Sequence, residues 1–432
     1  MRRLTIGDQE HIPGRSHLIA QIKTDRRAFL QCLGMGVSSL AVGGCSGNPE
    51  PGRYTQADIT LLSEQRLEEE KAAGNGPYGK QVYQGYRGLA QLPWFELDKN
   101  GSLVCTDDSV PHAIDIHCHF GMSVLLAPEI DLNATTERVR HLLDCDAENP
   151  GCKLDLDIYI NGNFDQDALV QLRWSTIAQG LWGSEFAKTQ TIPNLLAEMD
   201  AMRIQHSFIL PIKMGFPFGD SQTERWRDAI NTAGAGQRLR SGQSVHPREE
   251  TRIEQMRTHA ANGARLMKLH PTVQKFYPDD PDMMPLYREA EKLGIVIFFH
   301  GGRAGIEPES RLRYAMPRHY EAVLANFPNL QVVLGHAGAR DGEAMLRLAL
   351  KYDNAWLGIH GQGVTRLDEI IGRTGGERLL FGTDWPFYHI GSSLAKVLIC
   401  TDAPHKQQIR QAILRDNALR LFPEIELLDT TS

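Results

Sequence analysis

The 432-residue sequence lacks several features that mark common classes of protein. It has no block of lysine and arginine interleaved with aromatic residues, which makes nucleic acid an unexpected partner. It also shows no repeat of fixed period and no low-complexity tract, which argues against a repeat architecture. Hydrophobic residues make up 41% and charged residues 23%, an ordinary composition for a globular protein with a sizeable core.

Long apolar runs are scarce as well. Residues 28–44 are uncharged but number only 17, and they are too rich in glycine for a comfortable membrane span. This stretch follows Arg26 and Arg27, and together they resemble a twin-arginine export signal. The "VGGC" at its end resembles a lipobox ending at a lipidated Cys45. We therefore predict that residues 1–44 are an export signal and that the mature chain is periplasmic or in the cell envelope.

The charge and the cysteines agree with export of a soluble body. Residues 1–44 carry six basic and three acidic side chains, so their removal changes the net charge from −7 to −10. For an acidic chain of this kind we expect no membrane contact other than through a lipid on Cys45. Cys145 and Cys152 enclose a turn-forming "DAENPG", and an oxidising compartment permits a disulfide there. The spacing leaves open whether these two cysteines pair.

From residue 113 onward, apolar runs alternate with helical patterns. The runs that predict strands are 113–120, 206–212, 237–247, 264–270, 294–300, 330–336, 355–360 and 379–384. Eight strands, each followed by a helix, predict a (β/α)8 TIM barrel over residues 113–423. A doubly wound open sheet is the competitor, but "HCHFGMSV" after the first strand is not a glycine-rich phosphate loop.

The remaining segments are assigned by their position around the barrel. We predict that residues 45–112 form a linker and an N-terminal decoration of the barrel, and that residues 424–432 form a tail. Within "WFELDKNGSLVC", two short apolar runs flank an Asn-Gly turn and predict a hairpin. Residues 121–195 form a long insertion after the first barrel strand, and long loops at this face commonly act as lids.

Groups with metal-ligand chemistry stand where five of the predicted strands end. They are His117 and His119, then Lys268 and His270, then His300, His336 and Asp384. Barrel active sites form at the carboxyl ends of the strands, and residues two apart on a strand share a face. Convergence of these groups from separate strands predicts a metal site.

These strand ends resemble the amidohydrolase superfamily, and most closely the branch that includes aminocarboxymuconate-semialdehyde decarboxylase. The resemblance covers residues 113–423 and is carried by "DIHCHFG", "MKLHP", "VIFFHGG", "VVLGHAG", "LLFGTDWP" and "DNALRLF". It implies that one divalent metal, usually zinc, is held by His117, His119, His300 and Asp384. It also implies that His336 is an acid/base or substrate-polarising group.

The chemistry of these residues supports the roles that the resemblance implies. Three neutral imidazoles and a carboxylate leave zinc a position for water, whose pKa falls to about 7. Asp384 can accept the proton of that water, and His336 can stabilise the developing oxyanion.

Four further residues are assigned to the substrate or to support of the metal ligands. In binuclear relatives a carboxylated lysine on the fourth strand bridges two metals, but "KLHP" matches the mononuclear branch better, so Lys268 is expected to support the metal ligands or contact the substrate. His270 is expected to orient the metal ligands, and His360 to line the pocket. Arg303 can hold a substrate carboxylate through its planar fork, or form an ordinary loop salt bridge.

The leading interpretation is an exported metal-dependent hydrolase that attacks an amide, ester or lactone carbonyl of a small molecule. The alternative is a metal-dependent non-oxidative decarboxylase of a small aromatic acid. A second alternative is a non-catalytic metal-binding lipoprotein, which the complete ligand set disfavours. The oligomeric state and the substrate are left open.

Overall fold

The computed structural model describes residues 71–122, 130–145, 152–164, 185–216, 219–307 and 309–427. The predicted export signal, Cys45 and segments 123–129, 146–151 and 165–184 of the insertion lie outside these residues. Within the described ranges, no helix is long and apolar enough to cross a bilayer.

The strands of the described chain are of two kinds, those of the barrel and those outside it. In chain order they are β1 (Val82–Gln84), β2 (Phe95–Leu97), β3 (Leu103–Cys105), β4 (Ala113–Cys118), β5 (Lys153–Asp155), β6 (Ile204–Ile209), β7 (Leu239–Ser241), β8 (Leu266–Leu269), β9 (Val296–Phe299), β10 (Val332–Leu334), β11 (Ala355–Gly358) and β12 (Leu379–Leu380). β4 and β6–β12 coincide with the eight predicted runs and pair in parallel.

The barrel is closed at two seams. One sheet runs β4–β6–β7 and the other runs from β8 to β12. Parallel bridges between Gln243 and Met267, and between Cys118 and Trp385, join the two sheets on either side. The predicted (β/α)8 barrel is therefore confirmed.

The barrel strands are apolar because both of their faces are buried. In β9, Phe298 belongs to the interior cluster with Leu266 and Val333, whereas Phe299 belongs to the layer between strands and helices. Side chains alternate along a strand, so the residue two positions after Phe298 continues the inward-facing row. That residue is His300, and the interior packing thus carries it to the carboxyl end of the barrel.

Most of the helices cover the outside of the barrel, and two short ones stand in its strand-end loops. In chain order the helices are α1 (Ile192–Ala201), α2 (Gln222–Thr232), α3 (Arg252–Ala261), α4 (Pro271–Gln274), α5 (Met284–Leu293), α6 (Glu309–Leu312), α7 (Arg318–Asn326), α8 (Gly342–Lys351), α9 (Val364–Thr374), α10 (Ile390–Cys400), α11 (Gln407–Gln411) and α12 (Asn417–Leu421). Left-handed glycines follow α5 and α9, at Gly294 (φ 66°) and Gly375 (φ 64°), and end them as expected of a C-cap.

Two antiparallel pairs lie outside the barrel. β2 and β3 form the predicted hairpin, in which Phe95 is opposite Cys105. β1 pairs with β5, so the N-terminal decoration is joined to the insertion. Cys145 and Cys152 form a disulfide across a Cα–Cα distance of 5.3 Å, which settles the pairing that their spacing left open.

Described parts of the insertion lie against the strand ends. The backbone N–H groups of Leu142 and Leu143 donate to the carbonyls of Pro386 (3.1 Å) and Phe387 (2.9 Å) after β12. Ile160 N–H donates to Gly361 O (2.9 Å), after β11. These bonds hold the insertion over the face of the barrel where the predicted site residues stand.

Candidate active site

The barrel brings the predicted site residues together at the carboxyl ends of its strands. They are His117 and His119 from β4, Lys268 and His270 from β8, His300 after β9, His336 after β10, His360 after β11 and Asp384 after β12. All are buried, and none is more than 9% exposed. This degree of burial requires that their polar atoms find partners among themselves or on a bound ligand.

Three of these side chains form a compact triangle. His117 Nε2 and His119 Nε2 lie 3.2 Å apart, and Asp384 Oδ1 lies 3.3 Å and 3.1 Å from them. Two ligands about 2.0–2.1 Å from a tetrahedral ion stand roughly 3.4 Å apart. The spacing of these three atoms therefore fits ligands of one metal ion.

Hydrogen bonding around His119 supports the same conclusion. Its Nδ1 lies 2.6 Å from the carbonyl oxygen of Leu210, so Nδ1 carries the proton and Nε2 presents its lone pair to Asp384. Two electron-rich atoms then face each other at 3.1 Å, which is repulsive unless a second proton or a metal ion lies between them. A metal ion between Nε2 and the carboxylate removes that conflict, so the residues present fit the group.

His336 is the third nitrogen that the structure brings to this centre. One ligand atom each from His117, His336 and Asp384 can be chosen so that all lie within 4.8 Å of one another. His336 opens a run of left-handed residues, with φ 54° for His336 itself and 44°, 86° and 50° for the next three. Gln362 Nε2 holds this loop by donating to His336 O (2.6 Å) and Ala339 O (2.9 Å).

The family follows from the sequence match together with this geometry. The family model described as Amidohydrolase matches residues 114–423, which is more than half of the chain. The chain belongs to the amidohydrolase family. The family is metal-dependent and its members are enzymes. No curated protein matches the sequence.

The solved structures that match this amidohydrolase share little sequence with it. An uncharacterised TIM-barrel protein from Bordetella bronchiseptica is 19% identical over 72% of this chain and 99% of its own, with a TM-score of 0.50. The 5-carboxyvanillate decarboxylase of Novosphingobium aromaticivorans, complexed with manganese and a nitrobenzoic acid, is 14% identical (73% and 97% covered, TM-score 0.48). The 2,6-dihydroxybenzoate decarboxylase from Rhizobium is 17% identical (72% and 99% covered, TM-score 0.46). The first of these shows that the fold is shared.

His300, expected as a metal ligand, directs both ring nitrogens to other partners in this structure. Nε2 lies 2.9 Å from Glu307 Oε1 and Nδ1 lies 3.0 Å from His336 Nε2. Its ring stacks on His270 with centroids 3.9 Å apart. The three-atom cluster at the centre includes His336 rather than His300, so the ligand role of His300 stays a prediction.

Lys268 is a buried amine beside the cluster. Its Nζ lies 3.1 Å from His117 Nε2 and 4.4 Å from the centroid of the Phe298 ring. Burial lowers the pKa of Lys268 to about 7. Burial would raise the pKa of Asp384, but facing imidazoles, chiefly His117 and His360, bring it well below its usual range.

His360 contacts the same carboxylate from β11, since its Nε2 lies 3.3 Å from Asp384 Oδ2. Asp384 thus has imidazoles on both oxygens and is a carboxylate in the folded protein.

Arg303 forms a buried ion pair with Asp341. It is fully buried, and its Nε donates to Asp341 Oδ2 at 2.8 Å, while a terminal nitrogen bonds to Asp341 Oδ1. Its backbone N–H donates to the same carboxylate at 3.0 Å. Of the two roles considered for Arg303, the structure shows the loop salt bridge, and contact with a substrate stays a prediction.

We expect the variant Arg303→Leu to lose stability rather than substrate affinity. It removes the guanidinium that neutralises the buried carboxylate of Asp341, and breaking a buried ion pair in this way typically costs about 3–5 kcal/mol. Urea unfolding measures this loss, and the double variant Arg303→Leu/Asp341→Leu should recover part of it. Unchanged stability with a raised KM would instead make Arg303 a substrate-binding residue.

Two buried carboxylates contribute to the site although sequence patterns do not single them out. Glu307 holds the ring of His300, as described above. Asp115 accepts hydrogen bonds from the N–H groups of His117 (2.9 Å) and Thr383 (3.1 Å) and so joins the first barrel strand to the last. A charged residue inside the otherwise apolar run "AIDI" was the available signal for Asp115, whereas Glu307 stands in a loop that offers none.

Proposed function

We propose that this amidohydrolase is a metal-dependent decarboxylase of a small aromatic carboxylic acid. The observation that carries the proposal is that three aromatic rings lie next to the imidazoles of a buried cluster of metal-ligand groups. Phe387 lies 6.3 Å from the ring of His119, Tyr388 lies 5.5 Å from His360, and Tyr159 lies 6.5 Å from His336, centroid to centroid. Aromatic side chains in these positions are suited to contact a flat aromatic ring.

Burial of the site favours loss of carbon dioxide over addition of water. The groups of the cluster are at most 9% exposed, and Tyr159 comes from the insertion that lies over them. A substrate carboxylate held in such surroundings loses most of its hydration, which destabilises the charged group relative to neutral carbon dioxide.

Each residue of the chain then has a defined task. His117, His119 and Asp384 would hold one divalent ion, and an imidazole-rich set of this kind suits zinc. When bound, the ion supplies Lewis acidity that holds and polarises an oxygen of the substrate. Cleavage of the bond to the carboxyl carbon leaves its electron pair on the ring carbon, which takes up one proton. We assign the delivery of that proton to the imidazole of His336, whose Nε2 lies 3.0 Å from His300 Nδ1, and His300 in turn contacts Glu307.

Hydrolysis of an amide, ester or lactone is the second candidate. The observation that favours it is the presence of a carboxylate, Asp384, and an imidazole, His336, in one cluster. These two groups can act as the base that receives a proton from water and as the donor to a developing oxyanion.

Isotope labelling separates the two reactions. With hydroxylated benzoates, we expect one carbon dioxide per product, deuterium from D2O at the carbon that lost the carboxylate, and no solvent ¹⁸O in the product. Metal-stripped protein is the control and should be inactive until a divalent metal is restored. Turnover of aryl esters, lactones or amides with ¹⁸O in the product, and none of the benzoates, would replace this proposal with hydrolysis.

We further propose that the chain is exported through Arg26 and Arg27 and anchored at Cys45. The disulfide between Cys145 and Cys152 supports an oxidising compartment. Replacing both arginines with lysine should leave the precursor in the cytoplasm, and fatty-acid labelling should disappear in Cys45→Ser. Unchanged export of the dilysine variant, or a label that survives in Cys45→Ser, would contradict the respective claim.

A further inference from the structure

A group of basic residues lies on the same face of the barrel as the cluster. Arg248 follows β7, Lys275 follows α4 and Arg311 belongs to α6, so three successive strand-end loops contribute one cation each. Carboxyl ends of parallel strands share one face of a barrel, so these loops surround the same opening. Arg248 is exposed, whereas Lys275 and Arg311 are half-buried.

The three side chains form one cluster. An Arg248 terminal nitrogen donates to the carbonyl of Lys275 at 3.0 Å, and α4 contacts α6. Burial, then Arg311 and Arg248, lower the pKa of Lys275. Burial also lowers the pKa of Arg311, with further contributions from Arg313 and Arg248.

None of the three has a carboxylate partner within the part of the chain that the structure describes. The neighbouring Lys213, by contrast, lies 3.4 Å from Glu249. Like charges that lie together without a carboxylate repel one another, the partial burial of Lys275 and Arg311 adds to the cost, and this cost persists unless an anion is bound. A local concentration of positive charge also attracts ligands of the opposite sign.

The cluster is linked to the candidate active site through α4. The ring of His270 stacks on that of His300. The backbone N–H of His270 donates to Gln274 Oε1 at 2.8 Å, and Lys275 directly follows Gln274. Two tyrosines follow these cations closely in the chain, Tyr277 two residues after Lys275 and Tyr314 three residues after Arg311, and their rings lie 4.8 Å apart. Positive charge next to aromatic surface is suited to an aromatic anion.

We propose that Arg248, Lys275 and Arg311 bind a second acidic group of the substrate, so that the preferred substrates are aromatic dianions. This inference rests on the proposed function, because it concerns the substrate of that site. A second carboxylate or an equivalent anionic group would neutralise charges that the fold leaves unpaired, and it would orient the ring toward the His/Asp cluster.

Binding of two probes to the metal-loaded, full chain tests the site without relying on turnover. We expect isophthalate to bind at least about tenfold more tightly than benzoate in calorimetry, the size of one well-formed charged hydrogen bond. The preference should weaken as salt rises. The double variant Lys275→Ala/Arg311→Ala should abolish it while the metal content and the unfolding temperature hold.

The control variant removes two cations elsewhere on the barrel. Arg257→Gln/Lys351→Gln changes the net charge equally, at side chains that pair with Glu289 and Glu321, and should keep the preference. Equal binding of the two probes, failure of both to bind, or an unchanged preference in Lys275→Ala/Arg311→Ala would overturn the inference. A preference that depends on the cluster, with no carbon dioxide released from any benzoate, would instead reject the proposed reaction alone.

Discussion

Asp384→Asn should empty the metal centre and abolish turnover while leaving the barrel folded. Asp384 Oδ1 is the corner of the triangle that faces both His117 Nε2 and His119 Nε2, at 3.3 Å and 3.1 Å. Asparagine keeps the shape and tolerates the left-handed backbone at this position (φ 57°) but removes the charge that balances a divalent ion. We expect less than about one tenth of an equivalent of bound metal and a loss of turnover of at least about 10³-fold.

Metal analysis after dialysis, together with circular dichroism, measures this result. Asp220→Asn is the matched control, because Asp220 is equally buried and accepts backbone hydrogen bonds from residues 214–216. We expect this variant to disturb that loop and to retain its full metal content. Full metal content in Asp384→Asn would contradict the proposed ligand set. Two equivalents in the unaltered protein, one of them lost in Lys268→Ala, would replace the single ion with a bridged pair.

The barrel and the positions of its strand-end groups could be predicted because both depend on local periodicity. Apolar runs buried on two faces mark the strands, and side-chain alternation sends the residue after each run into the barrel. His300 after "VIFF" illustrates this, since Phe298 lies in the barrel interior two residues earlier. The topology then gathers these residues at one face without any information on their detailed contacts.

Partners that are distant in the chain could not be predicted in this way. Asp341, which pairs with Arg303, is 38 residues away, and Thr383, which pairs with Asp115, is 268 residues away. The orientation of His300 depends on Glu307, which stands in an irregular loop with no periodic pattern. Such pairings are determined by how loops from different strands pack, and a single sequence carries no signal for them.

The loop after β10 is a further feature that periodicity does not reveal. Non-glycine residues with positive φ are uncommon, and His336, Ala337 and Ala339 all have it. Strain of this kind persists only when the surroundings hold it, which Gln362 does through two hydrogen bonds to the backbone of the loop. This fixed backbone conformation places the side chain of His336 in the cluster.

His336→Asn should therefore lower turnover by roughly 10²–10³-fold, the usual effect of removing one preorganised group that acts in the transition state. Asparagine accepts the left-handed conformation, and Gln362 bonds to the backbone of residue 336, so the loop should keep its shape. The matched control is His206→Asn: His206 is equally buried, its Nε2 lies 2.8 Å from Glu426 O, and we expect its turnover to stay near that of the unaltered protein.

Metal content distinguishes the two roles that the geometry allows His336. The triangle of His117, His119 and Asp384 is complete without it, so we expect the variant to retain its ion as turnover falls. If metal and turnover are lost together, His336 is a ligand, in keeping with its place within 4.8 Å of His117 and Asp384. If turnover is unchanged, the proton must come from another group. Lys268, whose Nζ lies 3.1 Å from His117 Nε2, is then the next proton donor to test.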